Sequence, residues 1–232
     1  MLLAAGFGER MRPLTLERPK PLLEVRGRPL IDYHLQALAS AGIRDVVINV
    51  SWLGAQIETF CATGARWGLR IAYSREDEPL ETAGGIVQAL PLLGDGPFLV
   101  ANADIYTDYR FTTLASRGIA SRRARLVLVD NPSHNADGDF SLRGEQVLRG
   151  HENTLTFAGI GLYGPGFFAH CAPGKRPLLP LLLQAIEENR LEGEHFRGRW
   201  TDVGTPQRLA ALQAAADRVP APDHSDSSGG RE

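Results

Sequence analysis

The chain has 232 residues, 43% of them hydrophobic and 22% charged, and its 25 Lys and Arg against 27 Asp and Glu leave a net charge of −2. This is the make-up of one ordinary globular domain, which excludes a disordered or fibrous polypeptide and the broad basic field that grips nucleic acid. No apolar run reaches the roughly 18–20 residues that cross a bilayer and the start carries no basic leader region, so a cytoplasmic protein acting on small molecules, without nucleic acid or membrane partners, is expected.

In chain order, the first strand occupies only residues 1–5 before a glycine turn; either the chain begins a few residues inside its natural start or that strand is stunted. A helix is expected over 29–41, with Leu30, Tyr33, Leu35, Leu38 and Ala41 near one face, Pro29 at its head and Gly42 at its end. Strands follow at 45–50, 69–74, 97–103, 124–131 and 155–163, and helices at 55–61, 83–93, 108–116, 178–189 and 206–218. The alternation implies βαβ units. The fold expected is α/β, a three-layer sandwich with a mostly parallel, Rossmann-like sheet.

Residues 131–150 are turn-rich, with Asp-Gly and Arg-Gly pairs, and read as a small β-hairpin or lid beside the sheet. Residues 220–232 hold no aliphatic side chain larger than alanine and cannot offset their ordering entropy, so one domain over 1–219 and a disordered tail are expected. Cys61 and Cys171 have neither disulfide nor zinc spacing and are expected to be free thiols.

Function enters at the first turn. Gly6, Gly8, Glu9 and Arg10 lie in a loop directly after the first strand, where glycine lets backbone N–H groups approach an anion and arginine adds charged donors. The third position of a dinucleotide fingerprint is Met11, and no P-loop string exists. Ten residues on, Lys20 stands between Pro19 and Pro21, whose rigid rings fix the direction of its ammonium group.

Leu3 to Thr15 together with Pro19 to Leu22 resemble the signature of sugar-1-phosphate nucleotidyltransferases. The resemblance implies that Gly6 to Gly8 wrap a nucleoside triphosphate, that Arg10 holds the departing pyrophosphate and that Lys20 meets phosphate in the transition state. Two further strings extend it. Ala101-Asn102-Ala103-Asp104 ends an apolar strand, with Ala103 where the family commonly has glycine, and Arg199 to Thr205 resembles the family's W-x-D-x-G-T. The implied metal ligands are Asp104 and Asp202, remote in sequence, and the implied cofactor is Mg2+, which takes hard carboxylate oxygens and completes its shell with water and phosphate.

Other strings, at 78–82, 126–132, 138–140 and 194–200, resemble the branch of the family that transfers uridylyl groups to a wall-sugar phosphate during bacterial wall recycling. The length leaves no room for an attached acetyltransferase domain. Thr82, Gly84 and Gly85 are candidates to contact the base, with Ala83 departing from the family's E-T-G-G-G. Asn102, Asp139 and Gly159 are candidates for the sugar. The reaction implied is in-line attack of a sugar phosphate on the α-phosphate, which needs positioning and charge neutralisation but no general base, in keeping with histidines that read as surface or helix residues. Mannose-1-phosphate guanylyl transfer is the neighbouring enzymatic alternative. A non-catalytic sensor of the same fold is the alternative of another class, and it would lack the charges that Arg10, Lys20, Asp104 and Asp202 supply.

Overall fold

The computed structural model describes residues 1–150 and 152–217; His151, the residue after 217 assigned to the last helix, and the expected tail over 220–232 lie outside the described residues. The chain opens with β1 (Leu2–Leu3), a small ribbon of β2 (Glu24–Val25) and β3 (Arg28–Pro29), and α1 (Leu30–Ser40). There follow β4 (Asp45–Val50), α2 (Gly54–Cys61), β5 (Arg70–Arg75), α3 (Glu81–Leu93), β6 (Phe98–Asn102), β7 (Ile105–Thr107) and α4 (Thr112–Ala115). The second half comprises β8 (Ala124–Val129), β9 (Phe140–Arg143), β10 (Gln146–Arg149), β11 (Thr154–Tyr163), α5 (Leu179–Glu187), β12 (Leu191–His195), β13 (Trp200–Asp202) and α6 (Pro206–Asp217).

Among the described residues, nine strands form one sheet in the order β5-β4-β1-β6-β11-β8-β12-β10-β9. Side chains alternate across it, as the two-residue strand period requires. Val46, Ile48 and Val50 of β4, with Val127 and Val129 of β8, meet Ile31, Leu35 and Leu38 of α1 and Ile57 of α2 on one face. Val47, Leu126 and Leu128 meet Ile86 and Ala89 of α3 and Leu182 and Ala185 of α5 on the other. Apolar packing on both faces makes the three layers and accounts for strands without polar alternation, such as the fully buried β8. A third, smaller core gathers Met11, Val25, Leu30, Val203 and Leu209 beneath α6. No helix among the described residues is long and apolar enough to cross a membrane.

The parallel, Rossmann-like part is β5-β4-β1-β6, with β12 also parallel to β8. Beyond β6 the sheet is mixed, because β11 runs antiparallel to both β6 and β8. It is reached from the β9–β10 hairpin and not through a crossover helix, so it returns in the opposite sense. That hairpin is the one expected within 131–150; Arg143 pairs with Gln146 across a two-residue turn.

The helix expected over 108–116 shrinks to one turn, α4. Tyr109 and Phe111 are both buried and meet edge-to-face at 5.9 Å, an i, i+2 pairing that a helix surface does not make. Two strands in the stretch 191–205 have no apolar run to announce them. β12 carries Glu192 and Glu194, which serve Arg123, Arg125 and Tyr109. β13 pairs with β7 as a separate two-stranded ribbon.

The order of strands decides where a ligand goes. β1 lies between β4, reached through α1, and β6, reached through α3, so the winding reverses at β1. Open α/β sheets bind ligands at the carboxyl ends of the strands flanking such a reversal. Those ends lead here into the glycine loop and into Ala103 and Asp104.

Candidate active site

The glycine loop is held from beneath. Ala4 N–H donates to Asn49 Oδ1 at 2.8 Å, and Asn49 Nδ2 donates to the buried Glu76 at 2.7 Å. Gly8 adopts φ +64°, and a Cβ there would stand 2.8 Å from Thr15 Cγ2, so this position requires glycine twice over. Thr15 Oγ1 donates to Gly8 C=O at 2.8 Å and closes the loop. In the short turn that follows, Met11 is buried while Arg10 is exposed and has no ion-pair partner among the described residues. Core packing of the methionine thereby turns the arginine outward.

Lys20 is buried to 11% exposure of its side chain, and its ammonium group donates to Asp104 Oδ2. Buried Pro21 and Leu22 anchor the turn that carries it. Asp104 sits in the tight connection between β6 and β7. His34 of α1 fixes that connection through a 2.8 Å bond between Nε2 and Ile105 C=O, and its burial holds the imidazole below its ordinary pKa and thus neutral.

Asp202 ends β13. That strand runs antiparallel to β7 with Asp202 opposite Ile105, and Val203 N–H donates to Asp104 C=O at 2.9 Å. Two aspartates 98 residues apart in the chain are therefore brought together, Asp202 at the end of β13 and Asp104 just ahead of its partner strand β7. The tryptophan of the same motif is an anchor, since Trp200 Nε1 donates to Ala158 C=O at 2.9 Å and ties the ribbon to β11. Thr205 caps α6, its Oγ1 accepting Arg208 N–H at 3.3 Å. The carboxylate of Asp202 is engaged as well: Arg208 Nη1 donates to both of its oxygens at 2.6 Å, and His134 Nε2 lies 3.0 Å from Oδ1.

This donor set fits a magnesium ion. Among the described residues no group of three or more His, Cys, Asp and Glu side chains is clustered, but magnesium takes only one or two carboxylates from protein when phosphate and water complete its shell. Each aspartate is here charge-compensated by a cation of its own, Lys20 for Asp104 and Arg208 for Asp202.

A cleft of about 570 Å³ opens over these elements, lined by Gly6, Gly8, Glu9, Arg10, Lys20 and Asp104, and also by Lys175 and Gly204. It continues through Glu81 and Asp104 into a smaller recess of about 220 Å³ bearing Thr82 and Asn102. Glu81, Thr82 and Asn102 lead on to a third cavity of about 490 Å³, which adds Asp139, Phe157 and Leu179. Asp202 is not among the lining residues of the three, although its neighbour Gly204 is.

The sugar-side candidates fall together. Gly159 forms the bulge of β11 at φ +73°, where a Cβ would meet Asn102 Nδ2 at 2.5 Å, so the glycine leaves room for the Asn102 amide at the cavity wall. Asp139 lines the cavity, but Oδ2 accepts Phe157 N–H at 2.8 Å and Oδ1 accepts Asn135 Nδ2 at 3.2 Å, so part of its bonding capacity is spent on the hairpin. Thr82 lines two of the cavities. Gly84 and Gly85 line none of the three: both are buried inside α3, Gly84 against Gly174 and Gly85 against the Glu76 and Asn49 pair. The helix starts at Glu81, which carries these two glycines into its packed face and away from the cleft.

Six residues around the cleft escaped the sequence reading: Asn49, Glu76, Glu81, His134, Lys175 and Arg208. Glu81 is the least ordinary, a non-glycine residue at φ +60° lining all three cavities. Such backbone costs on the order of 1–3 kcal/mol and concentrates at ligand sites. A glutamate gives no hint of its φ, and the others sit in turns, in a strand or, for Arg208, in the first turn of α6, without a motif.

Comparison with known proteins follows the same lines. The model of the nucleotidyl transferase family matches residues 1–140. The chain is 50% identical over 224 residues to an N-acetylmuramate alpha-1-phosphate uridylyltransferase of Neisseria meningitidis serogroup B, covering 93% of this chain and 97% of that one. A Caulobacter vibrioides protein of the same name is 34% identical, covering 92% and 95%. A mannose-1-phosphate guanyltransferase of Candida albicans is 33% identical, over 89% of this chain but 61% of its own. Among solved structures, a proposed glucose-1-phosphate thymidylyltransferase of Bacillus anthracis superposes with a TM-score of 0.81 at 19% identity, covering 95% and 96% of the two chains. HddC of Yersinia pseudotuberculosis complexed with GMP-PN gives 0.75 at 17%, covering 93% and 97%, and these two likenesses bear on the fold. With its first 140 residues matched by the family model and a relative half identical over nearly its whole length, the chain belongs to the nucleotidyl transferase family of enzymes.

Proposed function

We propose that this enzyme transfers UMP from UTP to N-acetylmuramate α-1-phosphate, giving UDP-N-acetylmuramate and pyrophosphate, as a step in the recycling of wall sugar. A phosphate oxygen of the acceptor attacks the α-phosphorus in line, the bond to the bridging oxygen breaks, and pyrophosphate leaves with the electron pair. The observation that carries the reading is the lining of one cleft by the glycine loop, Arg10, Lys20 and Asp104, with Asp202 on the strand beside Asp104. Together with near-full-length similarity to the uridylyltransferase of Neisseria meningitidis, this favours UTP and an N-acetylmuramate phosphate over the guanylyl alternative.

The residues divide the work by chemistry. N–H groups of the loop at Gly6, Gly8 and Glu9 bind the triphosphate, and Arg10 holds the pyrophosphate portion through its fork of donors. Lys20 offsets charge on the α-phosphoryl group. Asp104 and Asp202 hold a magnesium ion, which when bound neutralises phosphate charge. Thr82 faces the base, while Asn102 and Asp139 orient the sugar, with Gly159 giving the Asn102 amide its room. Catalysis is positioning and electrostatics. Residues 1–219 make up the catalytic domain, and the cytoplasm, where nucleoside triphosphates and sugar phosphates are made, is its place of action.

Pyrophosphate release measured across a matrix of nucleotides and sugar 1-phosphates tests this. Turnover with UTP and N-acetylmuramate 1-phosphate above all other pairs is expected. Turnover confined to GTP with mannose 1-phosphate would replace the assignment with the guanylyl reading.

A further inference from the structure

The acceptor just proposed has a feature that the phosphate chemistry leaves unused. N-acetylmuramate is an N-acetylated amino sugar bearing a lactic acid ether, so its 1-phosphate carries a carboxylate in addition to the phosphate. A cleft that prefers this sugar to its neutral counterpart needs a cation for that second acid, placed apart from the cations assigned to the phosphates.

Three cations line the three connected cavities: Arg10, Lys20 and Lys175. Lys20 is spoken for by Asp104, and Arg10 belongs to the loop that wraps the triphosphate. Lys175 is exposed and has no hydrogen-bond or ion-pair partner among the described residues. It lines the same cleft as the glycine loop but comes from the segment 172–177, remote from that loop in the chain. The residues that follow it, Pro177, Leu178 and Leu179, line the cavity that also holds Asn102 and Asp139. No cation is among the described residues lining that cavity; of the two cations just before Pro177, Arg176 is tied back to Ala172 C=O through Nε, which leaves the Lys175 ammonium group the one without a partner.

Composition isolates the same residue. The sequence contains 23 arginines and only two lysines, and both lysines line this cleft. Arginine serves the surface ion pairs, whereas lysine here provides a compact charge on a flexible stem, suited to a carboxylate that itself hangs on a short rotatable ether.

The segment is also fixed in place. Arg176 N–H donates to Leu80 C=O at 2.9 Å, Arg176 C=O accepts the N–H groups of Ala83 and Gly84 at 3.0 and 3.2 Å, and Arg176 Nε donates to Ala172 C=O at 2.7 Å. Gly84 permits this docking, because a Cβ there would stand 2.3 Å from Gly174 C=O. We infer that Lys175 is the specificity-determining residue that recognises the acid group of the acceptor sugar, with Gly84 as the positioning residue that lets its loop lie against α3.

This inference rests on the acceptor proposed above. It is tested by measuring kcat/KM with UTP for two acceptors, N-acetylmuramate 1-phosphate and N-acetylglucosamine 1-phosphate, in the wild type, Lys175→Met, Lys175→Arg and Gly84→Ala. The ratio of acidic to neutral acceptor should fall about 10- to 100-fold in Lys175→Met, the value of one charge-assisted contact. Lys175→Arg should restore part of it, and Gly84→Ala should move the ratio in the same direction as Lys175→Met. A loss in Lys175→Met that falls equally on both acceptors, or that shows only as a raised KM for UTP, would overturn the inference while leaving the proposed reaction standing. A wild-type protein idle toward both acceptors would sink the reaction and the inference together.

Discussion

The two walls of the cleft are built by different means. The near wall, residues 4–20, is one contiguous stretch whose geometry is set locally: Gly8 makes the turn, Met11 plugs the core so that Arg10 faces out, and prolines stiffen the approach to Lys20. The other wall draws Lys175 from the loop at 172–177 and Gly204 from the turn between β13 and α6, segments brought in by long-range contacts such as Arg176 on Leu80 and Trp200 on Ala158. Under the function proposed above, the first wall is the anion cradle and the second sets which metal and which sugar the cradle serves. Substitutions should separate the two accordingly.

The largest effect is expected where the walls meet. Asp104→Asn should lower kcat by about two to three orders of magnitude, with circular dichroism showing an intact fold, because it removes charge that acts in the transition state. Wild-type turnover in that variant would remove Asp104 from the chemistry. Next come the cradle's cations. Lys20→Met should reduce kcat by about 100-fold, as its proposed role at the α-phosphoryl group requires, and Arg10→Met should do so less, with pyrophosphate losing its proposed hold. Equal losses in KM alone would show uniform substrate binding instead.

Gly8→Ala probes the cradle's shape. The clash with Thr15 and the positive φ should together cost about 1–3 kcal/mol of stability, read from denaturant unfolding, and raise the KM for UTP. Unchanged stability would mean that the loop accommodates a side chain.

The smallest effect lies away from the cleft. The Arg125 guanidinium holds the Glu145 carboxyl down to about 2 from its ordinary 4.5. A depressed carboxyl stabilises the folded state above its unfolded value and loses that contribution as pH falls toward 2. Between pH 4.5 and 2 the wild type should therefore lose stability more steeply than Glu145→Gln, with the two curves converging at the acid end. Parallel curves would show that this pair does not couple to folding.

The same contrast explains what could be read in advance. Strands buried on both faces, such as β4 and β8, announce themselves by unbroken apolar runs, and α1 by its periodic face with Gly42 behind it. β12 and β13 do not, because their strands carry glutamate, glycine, histidine and aspartate whose partners lie far off in the chain. Likewise Gly6, Gly8, Arg10 and Lys20 form a motif, whereas His134, Lys175 and Arg208 acquire meaning only once β11, α3 and α6 are in place. Gly84 and Gly85 illustrate the reverse case: a glycine pair beside a cleft looks like room for a base, yet the start of α3 at Glu81 puts both into helix packing.

The central claim is that Asp104 and Asp202 act on one dication. Electron paramagnetic resonance of bound Mn2+, titrated in the presence of UTP, addresses it directly with the wild type, Asp104→Asn and Asp202→Asn. Weakened Mn2+ binding in both variants, with the double variant little worse than either alone, is the expected result. Wild-type affinity in either single variant would contradict it.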